Sequence, residues 1–239
     1  MIPKVIHYCW FGQGKKPRLA RKCIDSWNKH CNGFEIIEWN ESNFNVDFNE
    51  YTRFCYDNKR WAFLSDYARL MVIKENGGIY FDTDVEVIKS FDELLDAEAF
   101  FGFENDSNIA TGLGFGAIPD HFSINLMLEQ YDIIKKGSDG SFPLIPCPRL
   151  NTEALLQLGL KLEDKRQTIG NIDIYPSDYF NPFDDPTGRL RITDNTYSIH
   201  WYGKSWISNR KKIRSMIARP FHRLLGVDFF RKKENDRYE

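Results

Sequence analysis

The sequence predicts an α/β domain with a mostly parallel central sheet flanked by helices. Strand-like and helix-like segments alternate over the first half of the chain, an order typical of parallel sheets covered by helices. The chain has 239 residues and is 42% hydrophobic, which is enough for one large packed domain or a domain with a small appendage. One apolar run, GGIYFDTD at residues 77–84, leads directly into two aspartates. Ligands of such sheets bind beyond the carboxyl ends of strands.

Short runs rich in β-branched and aromatic residues predict the strands. These runs are residues 4–10, 34–39, 79–82, 100–103, 114–118, 172–175 and 196–200. Apolar residues at helical spacing predict the helices. These segments are residues 17–30, 51–57, 60–75, 122–136 and 151–158. Gly77 and Gly78 close the third helix, and the Gly-, Ser- and Pro-rich stretch 137–148 predicts a loop.

Composition excludes several classes of function. The net charge of -2 argues against a protein that binds nucleic acid. The five cysteines are odd in number and show no CxxC spacing, and the chain begins without a long apolar leader, so we expect reduced thiols in a cytoplasm. No apolar run approaches 18 residues, so no membrane span is expected.

The C-terminal segment 207–239 differs from the rest of the chain in charge. It contains ten Lys or Arg against four Asp or Glu, a net charge of +6, which leaves -8 for residues 1–206. As a helix it would be basic and amphipathic, a shape suited to an anionic membrane surface. The alternative is a terminal helix packed on its own domain. We therefore expect a domain at 1–206 and a basic tail at 207–239.

Asp82 and Asp84 form a DxD motif at the end of the apolar run. Two carboxylates so close together repel each other unless a cation or water lies between them. Mg²⁺ and Mn²⁺ prefer such oxygen ligands and are commonly bound by one or two carboxylates together with substrate phosphates. A DxD alone is a weak signal, and a solvated acidic edge that continues to Glu86 is the alternative.

Asp66 and Arg69 lie three residues apart in the middle of a helix that is apolar nearly all round. Buried charges need partners, and a self-satisfied ion pair is the simplest explanation. A pair that faces sugar hydroxyls and a phosphate is the functional one, because this helix leads directly to the DxD.

Aromatic and basic residues near the two ends of the domain complete the candidates. His7 in the first strand is predicted to be a paired core histidine, and Trp10 at its exit is suited to stacking on a planar base. In SIHWYGKSW, His200 is a candidate third metal ligand, and Lys204 could neutralise a diphosphate. The alternative for this segment is a surface loop with core tryptophans.

Three segments together resemble a known family. They are IPKVIHYCWFG at 2–12, LSDYARLMVIKENGGIYFDTDVEV at 64–87 and HWYGKSW at 200–206. In this order they resemble the DXD-containing sugar-binding glycosyltransferases, above all family 32, which includes yeast initiating mannosyltransferases and bacterial capsular-polysaccharide transferases. The large clostridial glucosylating toxins share the middle segment, whose S-D-x-x-R and G-G-x-Y-x-D-x-D patterns carry most of the resemblance.

This resemblance implies a GT-A fold and sugar transfer from a nucleotide diphosphate with retention at the anomeric carbon. By the same resemblance, Trp10 would stack on the base and Tyr80 would line the nucleotide site. Asp66 and Arg69 would bind the donor sugar and the diphosphate. Asn108, in the loop SNIATGLGFGA, would face the donor or the acceptor.

The resemblance also implies a metal site. Asp82 would touch the ribose or sugar and reach the metal through water, and Asp84 would ligate Mn²⁺ or Mg²⁺ directly. His200 would complete the site, with Ser205 as the rival because some relatives use serine or an acid there. Lys204 and Trp206 would lie near the phosphates.

The function expected is a metal-dependent retaining hexosyltransferase. The donor would be a nucleotide-sugar, a UDP-hexose before a GDP-sugar, and the acceptor a saccharide or lipid-linked saccharide in capsular or cell-surface polysaccharide synthesis. The protein would be cytoplasmic, with the tail at the inner face of the membrane. The alternatives are a haloacid-dehalogenase-type phosphatase with Asp82 as nucleophile and Asp184-Asp185 as late acids, and a non-catalytic carbohydrate-binding module.

Overall fold

The computed structural model describes residues 1–203, 217–224 and 226. The strands are β1 (Val5–Cys9), β2 (Glu35–Trp39), β3 (Gly78–Tyr80), β4 (Val85–Val87), β5 (Ala99–Asn105), β6 (Asn108–Ile109), β7 (Phe115–Ala117), β8 (Gln167–Ile169), β9 (Ile172–Tyr175), β10 (Phe183–Asp184), β11 (Arg189–Leu190) and β12 (Ser198–His200). The helices are α1 (Arg18–His30), α2 (Glu50–Asp57), α3 (Trp61–Asn76), the 3-10 turn η1 (Asp92–Leu94), α4 (Phe122–Asp132), α5 (Cys147–Leu156) and α6 (Ser177–Phe180). Residues 217–224 form a further helix. The candidates Lys204, Ser205 and Trp206 and the expected boundary at 206 lie outside the described residues.

The main sheet confirms the predicted α/β architecture. Its strand order is β2-β1-β3-β7-β5-β9-β8, with β6 paired to β5. Strands β2, β1 and β3 are mutually parallel, and β5 runs in their direction because it is antiparallel to β7, which is itself antiparallel to β3. Strand β9 is parallel to β5, so only β7, the edge strand β8 and the short β6 run the other way. Strand direction is therefore mostly uniform, as predicted.

Two hydrophobic cores cover the two faces of this sheet. Alternate residues of a strand point to opposite faces, and in β3 the side chain of Tyr80 enters one core whereas Ile79 and Phe81 enter the other. The Tyr80 core is completed by helices α2 to α5. The Phe81 core is completed by α1, whose Trp27 is fully buried, and by the region of α6. Helices that pack on both faces of the sheet hold the ends of the strands in place.

A pair of glycines connects helix α3 to strand β3. Gly77 caps the helix at φ 65° and Gly78 follows at φ 97°, a backbone region that favours glycine. A Cβ on Gly78 would lie 2.7 Å from the carbonyl oxygen of Val5 in β1. The close approach brings β3 beside β1 immediately after α3, so the two elements that carry Asp66, Arg69 and the DxD motif are joined without a loop.

A two-stranded ribbon, β4 with β12, brings the late histidine to the DxD motif. The strands are antiparallel, and His200 lies opposite Val85. The backbone N–H of Trp201 donates to the carbonyl oxygen of Asp84 at 3.0 Å and extends the pairing by one residue. The predicted strand at 196–200 is present, whereas its partner β4 was not predicted.

Two helices differ from their predicted extents. Helix α5 begins at Cys147, inside the stretch predicted as a loop, because Pro146 is its N-cap and Pro148 occupies the first turn, where proline is well tolerated. Helix α4 ends at Asp132 rather than continuing to 136. The earlier start of α5 matters for the site, since it places Cys147 and Asn151 on one face of the helix.

The helix at 217–224 packs on the β10–β11 hairpin. Arg219 donates to Asp185 at 2.9 Å, and Arg223 donates to the carbonyl oxygens of Thr187 and Gly188. Among the described residues, no helix has both the length and the apolar composition needed to cross a membrane.

Candidate active site

Asp82 and Asp84 lie in a tight turn where β3 leaves the sheet. The N–H of Asp82 donates to the carbonyl oxygen of Gly112 at 3.2 Å, and the N–H of Val85 returns to the carbonyl oxygen of Asp82 at 3.0 Å. Asp82 is 28% exposed and Asp84 22% exposed, so neither is a fully solvated acid. Strand β3 ends at Tyr80, two residues earlier than the strand expected at 79–82, and the turn that follows holds both carboxylates at the carboxyl end of β3.

Arg69 is the buried cation of the site. Its side chain is 3% exposed, and its Nη2 lies 2.8 Å from Oδ1 of Asp66 and 2.9 Å from Oδ1 of Asp82. Its Nε donates to the carbonyl oxygen of Ser65, and its guanidinium lies 4.9 Å above the ring of Tyr80. The i,i+3 pair read from the helix is therefore present, but it is shared with the DxD motif. One guanidinium links α3 to the end of β3.

Asp84 contacts the segment from His200 to Gly203, at and after the end of β12. Its Oδ1 lies 3.2 Å from Nε2 of His200, and its Oδ2 accepts the backbone N–H of Gly203 at 2.7 Å. Asp82, in contrast, receives the hydroxyl of Tyr80 at 3.1 Å. The two carboxylates are thus held by different parts of the chain, Asp82 by α3 and β3 and Asp84 by the β12 end.

Asp82, Asp84 and His200 fit a divalent cation. Each offers one ligand atom, and these atoms all lie within 4.8 Å of one another. Two carboxylates and an imidazole suit Mn²⁺ or Mg²⁺ in the presence of substrate oxygens. Nδ1 of His200 is buried and has no hydrogen-bond partner in the described part of the chain. The donor set and its spacing therefore agree with the predicted metal site.

The two acids of the motif have different electrostatic environments. Burial, and then the negative charge of Asp84, raise the pKa of Asp82 to about 6, although Arg69 acts in the opposite direction. Burial also opposes ionisation of Asp84, but the charge and hydrogen bond of His200 and the N–H of Gly203 lower its pKa overall. Asp84 is therefore the more readily ionised of the two acids.

A set of buried polar residues behind Arg69 was not predicted. Nη1 of Arg69 donates to Oγ1 of Thr111 at 3.4 Å, and the side-chain amide of Asn151 donates to the same oxygen at 3.0 Å. Sγ of Cys147 lies 3.8 Å from Nη1. Thr111 and Asn151 are fully buried, in line with a role in holding the guanidinium. Cys147 lay in the predicted loop 137–148 and Asn151 at the start of the predicted helix 151–158, so no helical spacing linked them.

The remaining candidates lie at varying distances from this centre. Trp10 is half-buried at the end of β1, its Nε1 donates to the carbonyl oxygen of Gly14, and Nζ of Lys16 lies 5.7 Å from its ring. Asn108 begins β6, and its amide donates to Asn105 at 3.3 Å. No contact described here joins Asn108 to Asp66, Arg69 or the acidic pair.

His7 is the paired core histidine that was predicted. Its Nδ1 accepts the indole N–H of Trp39 at 3.0 Å, so its Nε2 carries the proton and donates to the carbonyl oxygen of Gly77 at 3.0 Å. Burial lowers its pKa to about 4. The ring is 1% exposed and holds β1 to the glycine pair that precedes β3.

Comparisons with known proteins agree with this geometry. Residues 17–101 match the family model described as a glycosyltransferase sugar-binding region containing a DXD motif. An uncharacterized glycosyltransferase of Acanthamoeba polyphaga mimivirus is 29% identical over 233 residues, which cover 88% of this chain and 86% of that protein. The matched family region contains α3, β3 and the DxD turn.

Two solved glycosyltransferase structures are similar to this chain. The PaToxG glycosyltransferase is 17% identical with a TM-score of 0.49, over 65% of this chain and 68% of that one. A glycosyltransferase involved in the glycosylation of the major capsid of PBCV-1 is 13% identical with a TM-score of 0.45, over 90% and 99%. These scores are too low to carry an argument, so the assignment rests on the sequence matches and on the assembled motif. Residues 17–101 therefore form a glycosyltransferase sugar-binding region with a DXD motif, in a chain that is similar to a viral glycosyltransferase over most of its length.

Proposed function

We propose that this glycosyltransferase is a metal-dependent hexosyltransferase that takes its sugar from UDP and retains the anomeric configuration. One observation carries the proposal: Asp66, Arg69, Asp82, Asp84 and His200, from three separate parts of the chain, converge at the carboxyl end of β3. This edge of an α/β sheet is where nucleotide ligands bind. Two acids, an imidazole and a buried guanidinium suit a nucleotide diphosphate and its counterion.

Asp82, Asp84 and His200 would hold the cation, Mn²⁺ or Mg²⁺. Such an ion supplies positive charge to the diphosphate as it departs with the glycosidic electrons. Asp84 would bind it directly together with His200, whose Nε2 lies 3.2 Å from Oδ1 of Asp84. Asp82 would contribute through water or through the ribose, because its Oδ1 is already shared by Arg69 and Tyr80.

Arg69 would place a second positive charge beside the diphosphate and the donor sugar. A preformed cation at the point where negative charge develops lowers the barrier without reorganisation. Burial raises the pKa of Asp66, and Arg69 holds it in place, so the pair presents a fixed surface to sugar hydroxyls. Lys204, outside the described residues, would add charge on the phosphate side.

Retention fits an attack on the same face as the leaving group. Asp66 is 13% exposed and bonded to Arg69, which makes it a poor covalent nucleophile. The acceptor hydroxyl would instead approach beside the departing diphosphate, which accepts its proton. Asn108 would face the donor or the acceptor.

The nucleoside would lie toward the end of β1. Trp10 presents a half-buried indole there, fixed by its bond to Gly14, and a planar base can stack on it. Tyr80 is 1% exposed, so it would position Arg69 and Asp82 rather than line the base pocket. Trp206, outside the described residues, would lie near the phosphates.

The acceptor would be a saccharide or lipid-linked saccharide of a capsular or cell-surface polysaccharide, and the protein would act in the cytoplasm at the inner face of a membrane. The +6 charge of residues 207–239 supports this location. The phosphatase alternative is not favoured, because Asp184 bonds to Thr187 and Asp185 bonds to Arg219, away from Asp82. A carbohydrate-binding module would not need the acid–imidazole set.

The test is thermal unfolding with UDP, GDP and their hexoses, with and without Mn²⁺. A ligand that binds only the native state raises the midpoint. We expect a rise with UDP or a UDP-hexose that requires Mn²⁺, is lost in Asp84→Ala and is kept in Asp139→Ala, which removes an exposed aspartate from a turn. A rise that is independent of metal, or a rise with GDP alone, contradicts the metal site or the base, respectively. No rise with any nucleotide overturns the proposal.

A further inference from the structure

Tyr202, two residues after the end of strand β12, has an unusual backbone conformation. Tyr202 has φ of 50°, in the left-handed region that non-glycine residues rarely adopt. Strain of this kind persists only where neighbouring contacts impose it. The residue lies between Trp201, whose N–H donates to the backbone carbonyl oxygen of Asp84, and Gly203, whose N–H donates to the Asp84 carboxylate. The unusual conformation therefore sits inside the segment that holds a candidate metal ligand.

The side chain of Tyr202 packs on His200. The two ring centroids are 4.1 Å apart at an interplanar angle of 45°. The i,i+2 spacing would place the two side chains on the same side of an extended strand, and the left-handed turn keeps the phenol against the imidazole. His200 is 12% exposed, so this ring is a substantial part of what surrounds it.

A chain of hydrogen bonds fixes the phenol. The amide of Asn181 donates to the Tyr202 oxygen at 2.8 Å, and the Tyr202 hydroxyl donates to Oε1 of Glu104 at 3.1 Å. The same amide also donates to the carbonyl oxygen of Glu104 at 2.8 Å. Burial raises the pKa of Tyr202, so the phenol remains a donor. Three elements, α6, β5 and the segment after β12, meet at one hydroxyl group, and hydrogen bonds in series reinforce each other.

We infer that Tyr202, held by Asn181 and Glu104, is a positioning residue that sets the orientation of the His200 imidazole for the divalent cation. This inference rests on the metal site of the proposed function. Nε2 of His200 points to Asp84, whereas its Nδ1 has no hydrogen-bond partner among the described residues. A metal-binding histidine is commonly oriented by a hydrogen bond to its second nitrogen. In this site the ring of Tyr202 packs against the imidazole instead, so the position of the phenol determines the orientation of His200.

The test is Mn²⁺ binding to the full chain, measured by titration calorimetry with and without saturating UDP. Tyr202→Phe keeps the ring and removes the hydroxyl, and we expect it to weaken Mn²⁺ binding by about tenfold, as loss of outer-shell support typically does. Glu104→Gln replaces the carboxylate that accepts the Tyr202 hydroxyl with a weaker, neutral acceptor. We expect it to weaken Mn²⁺ binding as well. It also serves if Tyr202→Phe folds poorly. The matched control is Tyr197→Phe, which removes a tyrosine–glutamate hydrogen bond of 2.7 Å to Glu93.

The outcomes separate the two proposals. Weaker Mn²⁺ binding in Tyr202→Phe, with wild-type affinity in Tyr197→Phe, supports the positioning role. Wild-type affinity in both Tyr202→Phe and Glu104→Gln overturns it and leaves the metal site standing. If the unmodified chain binds no Mn²⁺ with or without UDP, the metal site itself fails, and the positioning role fails with it.

Discussion

Arg69 and Asp82 meet at 2.9 Å across thirteen residues of chain, and the same Nη2 atom of Arg69 also lies 2.8 Å from Asp66. One buried cation thus balances two carboxylates from different elements. The arrangement links the stability of the fold to the shape of the DxD turn, because the guanidinium that neutralises Asp66 also fixes Asp82. Removing a buried charge is costly because its partners are left uncompensated.

Arg69→Met is therefore expected to lower the free energy of unfolding by about 3–5 kcal/mol, the range for breaking a buried ion pair from one side. The measurement is urea unfolding at pH 7. Arg53→Met is the matched control, since Arg53 also bridges two aspartates, Asp47 and Asp57, but is 49% exposed. Its loss should be much smaller because solvent screens exposed pairs. Equal losses in the two variants would show that burial of Arg69 contributes nothing.

Gly112→Ala should disturb the metal site. A Cβ at this residue would lie 2.4 Å from Oδ2 of Asp82 and 3.2 Å from Nη1 of Arg69. The carboxylate is the group that can move, so it should turn away from Asp84. We expect Mn²⁺ affinity to fall by about tenfold, as for other changes that misorient a ligand.

The measurement for Gly112→Ala is Mn²⁺ titration, with thermal unfolding run in parallel. Gly14→Ala is the control, because a Cβ there meets no atom within 4 Å. Unchanged Mn²⁺ affinity in Gly112→Ala would mean that Asp82 does not contribute to the cation site in its present orientation.

Thr111→Val tests the support behind Arg69. Valine has the shape of threonine, but it leaves the Nη1 of Arg69 and the amide of Asn151 without their shared acceptor. Unpaired buried donors cost about 1–3 kcal/mol, so urea unfolding should show a loss of this size. Thr111→Ser keeps the hydroxyl and should lose clearly less. If serine and valine are equivalent, the methyl group rather than the hydroxyl is what matters at this place.

Much of the fold and the centre of the site could be predicted because their signals are local. Glycines, an apolar run and the i,i+3 spacing of Asp66 and Arg69 mark α3, β3 and the DxD turn within some twenty residues of sequence. Neither the i,i+3 spacing of Asp66 and Arg69 nor the DxD motif predicted that Arg69 pairs with Asp82, although both residues were already candidates. Where chemistry and local structure lie in one segment, sequence patterns suffice.

The supporting residues could not be predicted, since tertiary packing alone assigns them. Strand β4 alternates apolar and acidic residues, but its three residues are too short a run to predict a strand, so the ribbon that brings His200 to Asp84 was not predicted. Thr111 and Asn151 are common polar residues whose contact depends on how α5 meets the loop before β7. Tyr202 gave no signal, because a left-handed backbone is expected at glycine and asparagine rather than at tyrosine.

His7 should make the protein less stable in mild acid. Burial holds its pKa at about 4, below the 6.5 expected in the unfolded chain. The unfolded state therefore binds more protons between these two values, so stability is present above pH 6.5 and falls as the pH drops toward 4. The full contribution is about 3 kcal/mol from the difference in pKa.

Urea unfolding of the wild type and of His7→Gln between pH 4 and 7 measures this contribution. Glutamine can still bond to Trp39 and Gly77 but does not titrate. The stability difference between the two proteins should favour the wild type most at pH 7 and shrink by about 3 kcal/mol by pH 4. Parallel pH profiles would show that protonation of His7 is not coupled to folding.

The helix at 217–224 should make the protein bind anionic membranes. Ile217 and Leu224 are 63% and 84% exposed, and with Phe221 at 50% they follow an i, i+4, i+7 spacing on one face. Arg219 and Arg223 are bonded to the β10–β11 hairpin, which fixes the helix with this apolar face outward. An exposed apolar stripe within a basic segment is suited to the interface of an anionic bilayer.

We expect the full chain to co-sediment with vesicles that contain phosphatidylglycerol and to bind phosphatidylcholine vesicles weakly. Ile217→Ser with Leu224→Ser should reduce binding by about tenfold or more, since complete burial of each aliphatic side chain contributes roughly 1.5–3 kcal/mol. Ile133→Ser is the matched control, because Ile133 is 62% exposed at the end of α4 and lies outside the basic segment. Binding that survives in the double variant and falls with added salt would assign it to charge alone. Absence of binding to both vesicle types would remove the membrane from the proposed function and leave the acceptor to be sought among soluble saccharides.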